Sequence, residues 1–417
     1  MHHSYKNVIT RFLRQDERFV LSDEHDMPRV IEAEGSHDLE WLQTFLNEHS
    51  NQLLADISTY GAVLLRGFNI TSEEAFEKTV LSIQGLTGIS DAFMSEEGRI
   101  PAGNATFVLH TNAVYKTGGT LYLGGFHSEN YYSTDVPAYI CFCCLEPSRM
   151  GGETGLVNMK KIYQQLDPAL QQKLEKNAFF VSEWLLTDIA KRYQVSIETI
   201  KAICHRADLP IVGDGADALV KMYKPNVLEN PVTHEKSLHI NLFEIHRLNA
   251  ALRQCFMNDY SGKAWRWHRF VWKIPKHIFK SIKFVYIMFA SFGYSPKQSL
   301  GILSSKIRVR AASKKQSRDP VFHQTRVGSC FSASEVTHLA QLIRQQYASC
   351  LWQKGDILLI DNTQVMHAGM PGAGKRVIRA MICNPIAMDY SPGAPGVIAC
   401  CPKTSKTVGS CVKSKQQ

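Results

Sequence analysis

At 417 residues the chain can bury a large core and has room for two or three domains. Hydrophobic content of 44% and charged content of 20% are those of a soluble globular protein, which sets aside a disordered or membrane-embedded chain. The net charge of +9 comes from one place: Lys263 to Arg318 holds fourteen Lys or Arg and no Asp or Glu, so the remaining residues are net acidic.

The first residues, Met1-His2-His3-Ser4-Tyr5-Lys6, lack the charged-then-apolar pattern of a secretory leader. Residues 1–58 read as a polar, partly helical lead-in, with helical apolar spacing from Asp38 to Leu46. Tyr60 to Phe68 reads as a buried strand closed by glycine. The next segment, Thr71 to Gln84, reads as a helix with Thr71 as N-cap and Glu73 and Glu74 in its first turn. Residues 99–145 alternate short apolar runs with Gly and Asn turns, as an all-β region does. Cys141, Cys143 and Cys144 crowd one strand there. Strand alternation sends the first two to one face and the third to the other, a poor geometry for a metal knuckle. Eleven cysteines in all, read as buried reduced thiols, imply a reducing, cytoplasmic compartment.

Helices are expected from Pro168 to Lys176, introduced by Asp167, and from Ser196 to Arg206. Strands are expected from Leu219 to Tyr223 and Ser237 to Phe243, around a turn at Asn230-Pro231. A basic, aromatic-rich insertion at about 263–327 follows. Ser332 to Glu335 has the pattern of a capping box opening a helix to about Tyr347. Gly355 to Asn362 reads as a strand leading to His367, and 391–417 as a disordered tail, Lys/Ser/Thr-rich from 403 on. The jelly-roll domain would then span 59–390.

The chemistry centres on His127-Ser128-Glu129. On extended chain, residues two apart share a side, so this pair offers an imidazole and a carboxylate to one point. A further imidazole, with His367 as the candidate, makes two nitrogens and one oxygen on one face of a metal. That set leaves positions open and favours non-haem Fe(II) over a closed zinc site. By itself a His-x-Glu is more often a core histidine beside a paired acid.

The surroundings sharpen it. Phe126-His127-Ser128-Glu129-Asn130-Tyr131-Tyr132, Pro137, Glu146-Pro147 and Gly151-Gly152-Glu153-Thr154 resemble the taurine-dioxygenase (TauD/TfdA-like) family. So do Trp352-Gln353-Lys354-Gly355-Asp356, Asp361-Asn362, His367 and Gly374-Lys375-Arg376-Val377-Ile378-Arg379. The resemblance covers roughly 58–245 and 328–390. It implies a mainly β protein with helical decoration, built on a double-stranded β-helix (jelly-roll) core, that uses Fe(II) and 2-oxoglutarate. It assigns the metal to His127, Glu129 and His367, and the far carboxylate of 2-oxoglutarate to Thr154 and Arg376. Arg379 is the substitute clamp, because the two arginines face opposite sides of a strand. A guanidinium suits the role, since its fork matches a carboxylate bidentately.

The acidic ligand being Glu is closest to the clavaminate-synthase-like branch, which implies an amino acid or carrier-bound amino acid as the small-molecule substrate. The expected reaction is hydroxylation or desaturation; Glu129 argues against halogenation, where a small residue replaces the carboxylate. Asp361 and Asn362 read as turn and supporting groups. His110, His239 and His246 carry no motif, and Asn130, Tyr131 and Tyr132 divide evenly between substrate contact and packing.

In the basic insertion, Lys273, Lys276, Lys280 and Lys283 recur at helical steps beside Phe270, Ile274, Ile278 and Phe279. Such a stripe suits a membrane surface or an acidic protein partner, including a carrier protein, and would make the enzyme peripheral at a membrane. A lid over the barrel mouth is the plain alternative, and no recognition motif supports nucleic acid. Two rival readings remain: a catalytically silent jelly roll that docks through 263–318, and a hydrolase using a divalent metal without 2-oxoglutarate.

Overall fold

The computed structural model describes residues 5–89, 102–111, 123, 125–129, 136–193, 195–206, 211–230, 233–240, 245–274, 278, 304, 307–312, 325, 326 and 330–386. Its main sheet has seven strands, in the order β1 (Val8–Phe12), β2 (Arg29–Ala33), β3 (Ala62–Arg66), β15 (Ile357–Asp361), β5 (Val136–Glu146), β18 (Val377–Ile386) and β4 (Leu109–His110). All neighbours run antiparallel except β2 and β3. A second sheet, β14 (Tyr347–Cys350), β7 (Thr154–Asn158) and β16 (Val365–Gly369), faces it.

The core between these sheets follows from strand alternation. Ile140, Phe142 and Cys144 of β5 and Ile378, Ala380 and Ile382 of β18 point inward, meeting Leu156, Cys350 and Val365 from the smaller sheet. The intervening Cys141, Cys143, Met381 and Cys383 point outward, into a layer closed by helices α1 (Leu39–Glu48), α2 (Ser50–Tyr60) and α3 (Glu73–Leu81). The expected division of the three cysteines is therefore present, and they are free thiols. Gly61 ends α2 in the left-handed conformation (φ 80°), and a Cβ there would come within 2.7 Å of Val365 Cγ2.

The smaller sheet's outer face carries Val157, Met366 and Ala368. Against it pack α4 (Met159–Gln164), α8 (His246–Phe256) and the helix Ala333–Gln345, here α10. Between them in sequence lie α5 (Pro168–Asn177), α6 (Leu186–Tyr193), α7 (Ile197–Arg206) and α9 (Arg266–Lys273). A side sheet joins β13 (Thr325–Arg326), β8 (Ala178–Leu185), β10 (Leu219–Pro225) and β9 (Ile211–Val212). A short hairpin pairs β11 (Val227–Glu229) with β12 (Lys236–Leu238), and a long-range two-stranded pairing joins β6 (Met150–Gly151) to β17 (Gly372–Ala373). The molecule is mainly β with helical decoration on a jelly-roll core, as the resemblance implies.

Four details differ from the sequence reading. The lead-in is strand as well as helix, because β1 and β2 pair onto β3. Ser72, not Thr71, caps α3, accepting from the Ala75 amide at 3.1 Å. The Asn230 turn joins β11 to β12, whereas β10 pairs with β8 and β9. Tyr347 opens β14 instead of ending a helix. Lys276, Lys280, Lys283, Phe279, Asn130, Tyr131, Tyr132 and the 391–417 tail lie outside the described residues.

Candidate metal and 2-oxoglutarate site

His127 and His367 are joined by their own backbones. The His127 amide donates to the His367 carbonyl at 3.1 Å, and the reverse bond is 3.0 Å. Such a reciprocal antiparallel pair projects both side chains to one side, and the rings lie 4.5 Å apart. Alternation along β16 turns His367 inward with Val365, where its ring meets Phe142 edge-on at 5.0 Å.

Glu129, two residues after His127, returns to the same side. Its Oε1 lies 3.5 Å from Nε2 of both histidines, with the carboxylate fully buried. One donor atom from each of the three falls within 4.8 Å of the others, the only such metal-binding group among the described residues.

The donor set fits a divalent metal. The Nδ1–H of His127 donates to the Gly125 carbonyl at 3.0 Å, which leaves Nε2 as the lone-pair nitrogen. The backbone of Glu129 is held by Asn362: Oδ1 accepts from the Glu129 amide at 2.9 Å, while Nδ2 donates to the carbonyls of Glu129 and Pro137 at 3.0 and 2.8 Å. Asp361 is a turn group, accepting from Thr363, Gln364 and Asn230.

Beside the triad, Thr154 opens β7 on the same inner face. Its hydroxyl oxygen accepts from Trp352 Nε1 at 3.1 Å and from Arg376 Nη2 at 3.3 Å. With both lone pairs engaged, its O–H has a hydrogen to give, and a carboxylate is the matching acceptor. Arg376 is buried. Arg379 instead faces outward, its Nε bonded to Glu73 of α3 at 2.7 Å.

Next to Thr154, Glu153 is fully enclosed, and burial pushes its carboxyl up to about 7 against the opposing hydrogen bond of Tyr260 (2.8 Å) and the nearby Arg376 charge. Tyr347 also donates to it, at 3.5 Å.

The structure thus brings His127, Glu129 and His367 together, and Thr154 with Arg376, while Arg379 stands apart. Of the unassigned histidines, His239 lies buried with Nε2 3.4 Å from Asn362 Nδ2. His110 sits on β4, paired in register with Arg379, and His246 opens α8. In the sequence Trp352 stands only as one residue of the Trp352–Asp356 motif. Its contact with Thr154 joins residues far apart in sequence, and no local pattern signals it.

Residues 23–212 match the family model described as Taurine catabolism dioxygenase TauD, TfdA family. That stretch includes His127, Glu129 and Thr154. No curated protein matches the chain. Among solved structures, AAD-2 in complex with Mn(II) and N-oxalylglycine is 12% identical, with TM-score 0.41, covering 91% of this chain and 98% of that one. PvcB from Pseudomonas aeruginosa is 12% identical, with TM-score 0.42, covering 91% and 93%. A second PvcB structure, described as an Fe, alpha-ketoglutarate dependent oxygenase from an isonitrile synthetic pathway, is similar at 12% and 0.42, covering 92% and 93%. At such identities and scores these likenesses carry no functional weight. The family match over residues 23–212 and the three-donor cluster both agree with the resemblance to the Fe(II)- and 2-oxoglutarate-dependent dioxygenases of the TauD/TfdA family.

Proposed function

We propose that His127, Glu129 and His367 hold the iron, that Thr154 and Arg376 receive the far carboxylate of 2-oxoglutarate, and that the C–H bond oxidised belongs to an amino acid or an amino-acid-derived group, free or carrier-bound. The observation that carries the reading is the three-donor cluster, two of its members locked by reciprocal backbone hydrogen bonds. Iron with 2-oxoglutarate supplies dioxygen activation and the power to break an unactivated C–H bond, giving hydroxylation or desaturation. The chain's own part is positional. The Gly125 carbonyl sets the His127 tautomer, Asn362 fixes the backbone of Glu129, and Thr154 offers a hydrogen beside a guanidinium that keeps its charge.

The substrate class rests on the resemblance of the His-x-Glu pair to the clavaminate-synthase-like branch. Arg376 is favoured over Arg379 because it bonds Thr154 on the inner face while Arg379 is engaged with Glu73.

An anaerobic titration with Fe(II) and 2-oxoglutarate, read by the visible charge-transfer band, tests the site before any substrate is known. His127→Ala should abolish the band. Arg376→Lys should weaken 2-oxoglutarate binding by about 1.5–3 kcal/mol, the worth of a charge-assisted hydrogen bond, and Arg379→Lys should leave it unchanged. Loss in Arg379→Lys alone would reassign the clamp. Folded protein without any band would remove the ligand assignment and favour the docking reading of a catalytically silent barrel.

A further inference from the structure

We propose that α9 docks the protein on an anionic lipid surface. The helix, with the 3-10 turn Lys263–Trp265 before it, is amphipathic in an unusual sense: its outer face joins aromatic rings to cations. Trp267 is 62% and Phe270 60% exposed, and their rings stack 5.8 Å apart at 29°. Lys263, Arg266 and Lys273 are exposed around them. From 263 to 318 the chain has no carboxylate to answer this charge.

The exposure is not that of a loose segment. His268, Val271 and Trp272 are buried on the opposite face. Trp265 packs on Phe19 and Tyr260, with ring centroids 5.2 and 4.8 Å away. It also lies so close to Gly151 that a Cβ there would fall 2.7 Å from the indole. Arg269 ties the helix to the Tyr260 carbonyl at 2.7 Å. The outer rings are therefore held in water by a well-anchored helix, at a cost that covering them would recover.

A bilayer interface matches this face better than a protein groove does. Its stacked rings suit the boundary between headgroups and acyl chains, and its cations suit lipid phosphates. Because Trp265 rests on the loop that leads to Thr154, docking would turn this wall of the barrel toward the lipid. The proposal is independent of the oxygenase site, since it needs no metal and no cosubstrate.

The test is co-sedimentation of the full chain with vesicles of phosphatidylcholine alone, or with about 40% phosphatidylglycerol, at low salt, where surface charge is least screened. Binding should require the anionic lipid and fall as salt rises. Arg266→Gln with Lys273→Gln should weaken partitioning about 25-fold, at about fivefold per cation. Trp267→Ala with Phe270→Ala should weaken it as well, both variants keeping the wild-type circular dichroism. No binding to anionic vesicles overturns the proposal, as does equal binding to neutral ones or undiminished binding by both variants. Retention on polyglutamate without vesicle binding would overturn it in favour of an acidic protein partner.

Discussion

Asn362 makes three hydrogen bonds to backbone, two of them to Glu129, from 233 residues away in sequence. A carboxylate ligand is only as well aimed as the chain that carries it, and here one amide side chain sets that chain. Asn362→Ala should leave the fold intact and weaken Fe(II) binding about 10–100-fold, as loss of a supporting group around metal ligands does. Metal titration of the apo-protein reads this directly, and an unchanged affinity would confine Asn362 to the turn. At this scale legibility divided sharply. The His127–Glu129 pair could be read because period-two geometry is local, and Asn362 was expected as a supporting group. The partners of Thr154 are only partly legible, since Trp352 reaches it from just beyond the end of β14, whose pairing with β7 no local pattern announces.

Elements announced themselves where side chains cap their own backbone. Ser332 accepts from the Glu335 amide at 3.2 Å and Glu335 returns to the Ser332 amide at 2.6 Å, so α10 opens on a complete capping box. Ser332→Ala should lower stability by about 1 kcal/mol, read as a shift in urea midpoint at constant slope. A shift below the error of the midpoint would mean the packing of α10 on α8 overrides the cap. Asp167 and Ser196, which accept from the Ala169 and Thr199 amides at 2.8 and 3.0 Å, are the same kind of signal. Strands without such signals were harder. β1, β2 and β14 have weak patterns of their own and exist because a partner edge satisfies their amides.

For the whole molecule, Arg66 is the joint between the lead-in and the barrel. Fully buried on β3, it donates to Asp356 at 2.7 and 3.1 Å, to Glu17 at 2.7 Å and to the Leu351 carbonyl at 2.8 Å. Arg66→Met would leave the buried Asp356 carboxylate without its cation and should cost about 3–5 kcal/mol in urea unfolding; a midpoint like the wild type's would show the network to be dispensable. Burial by itself would raise the Glu17 carboxyl, but the hydrogen bonds of Arg11, the Arg14 amide and Arg66 outweigh it and hold it at about 2 against an ordinary 4.5. A depressed carboxylate stabilises fully above its ordinary value and loses that stability as pH falls through 4.5 toward 2. In the same variant, acid unfolding followed by circular dichroism should therefore begin at higher pH.

What the sequence determined by itself is what short-range geometry encodes: the shared side of His127 and Glu129, the caps of α5, α7 and α10, and the opposite faces of Cys143 and Cys144. Ordered motifs extend this to a family resemblance and the jelly roll it implies, because several local patterns in one order are hard to meet by chance. Tertiary structure alone decided the meeting of His127 with His367 across a backbone bridge, and the choice of inward for Arg376 and outward for Arg379. It also decided which face of α9 is left in water. Each of these depends on which strand or helix lies opposite, and that is settled by the packing of distant segments, not by the residues on either side.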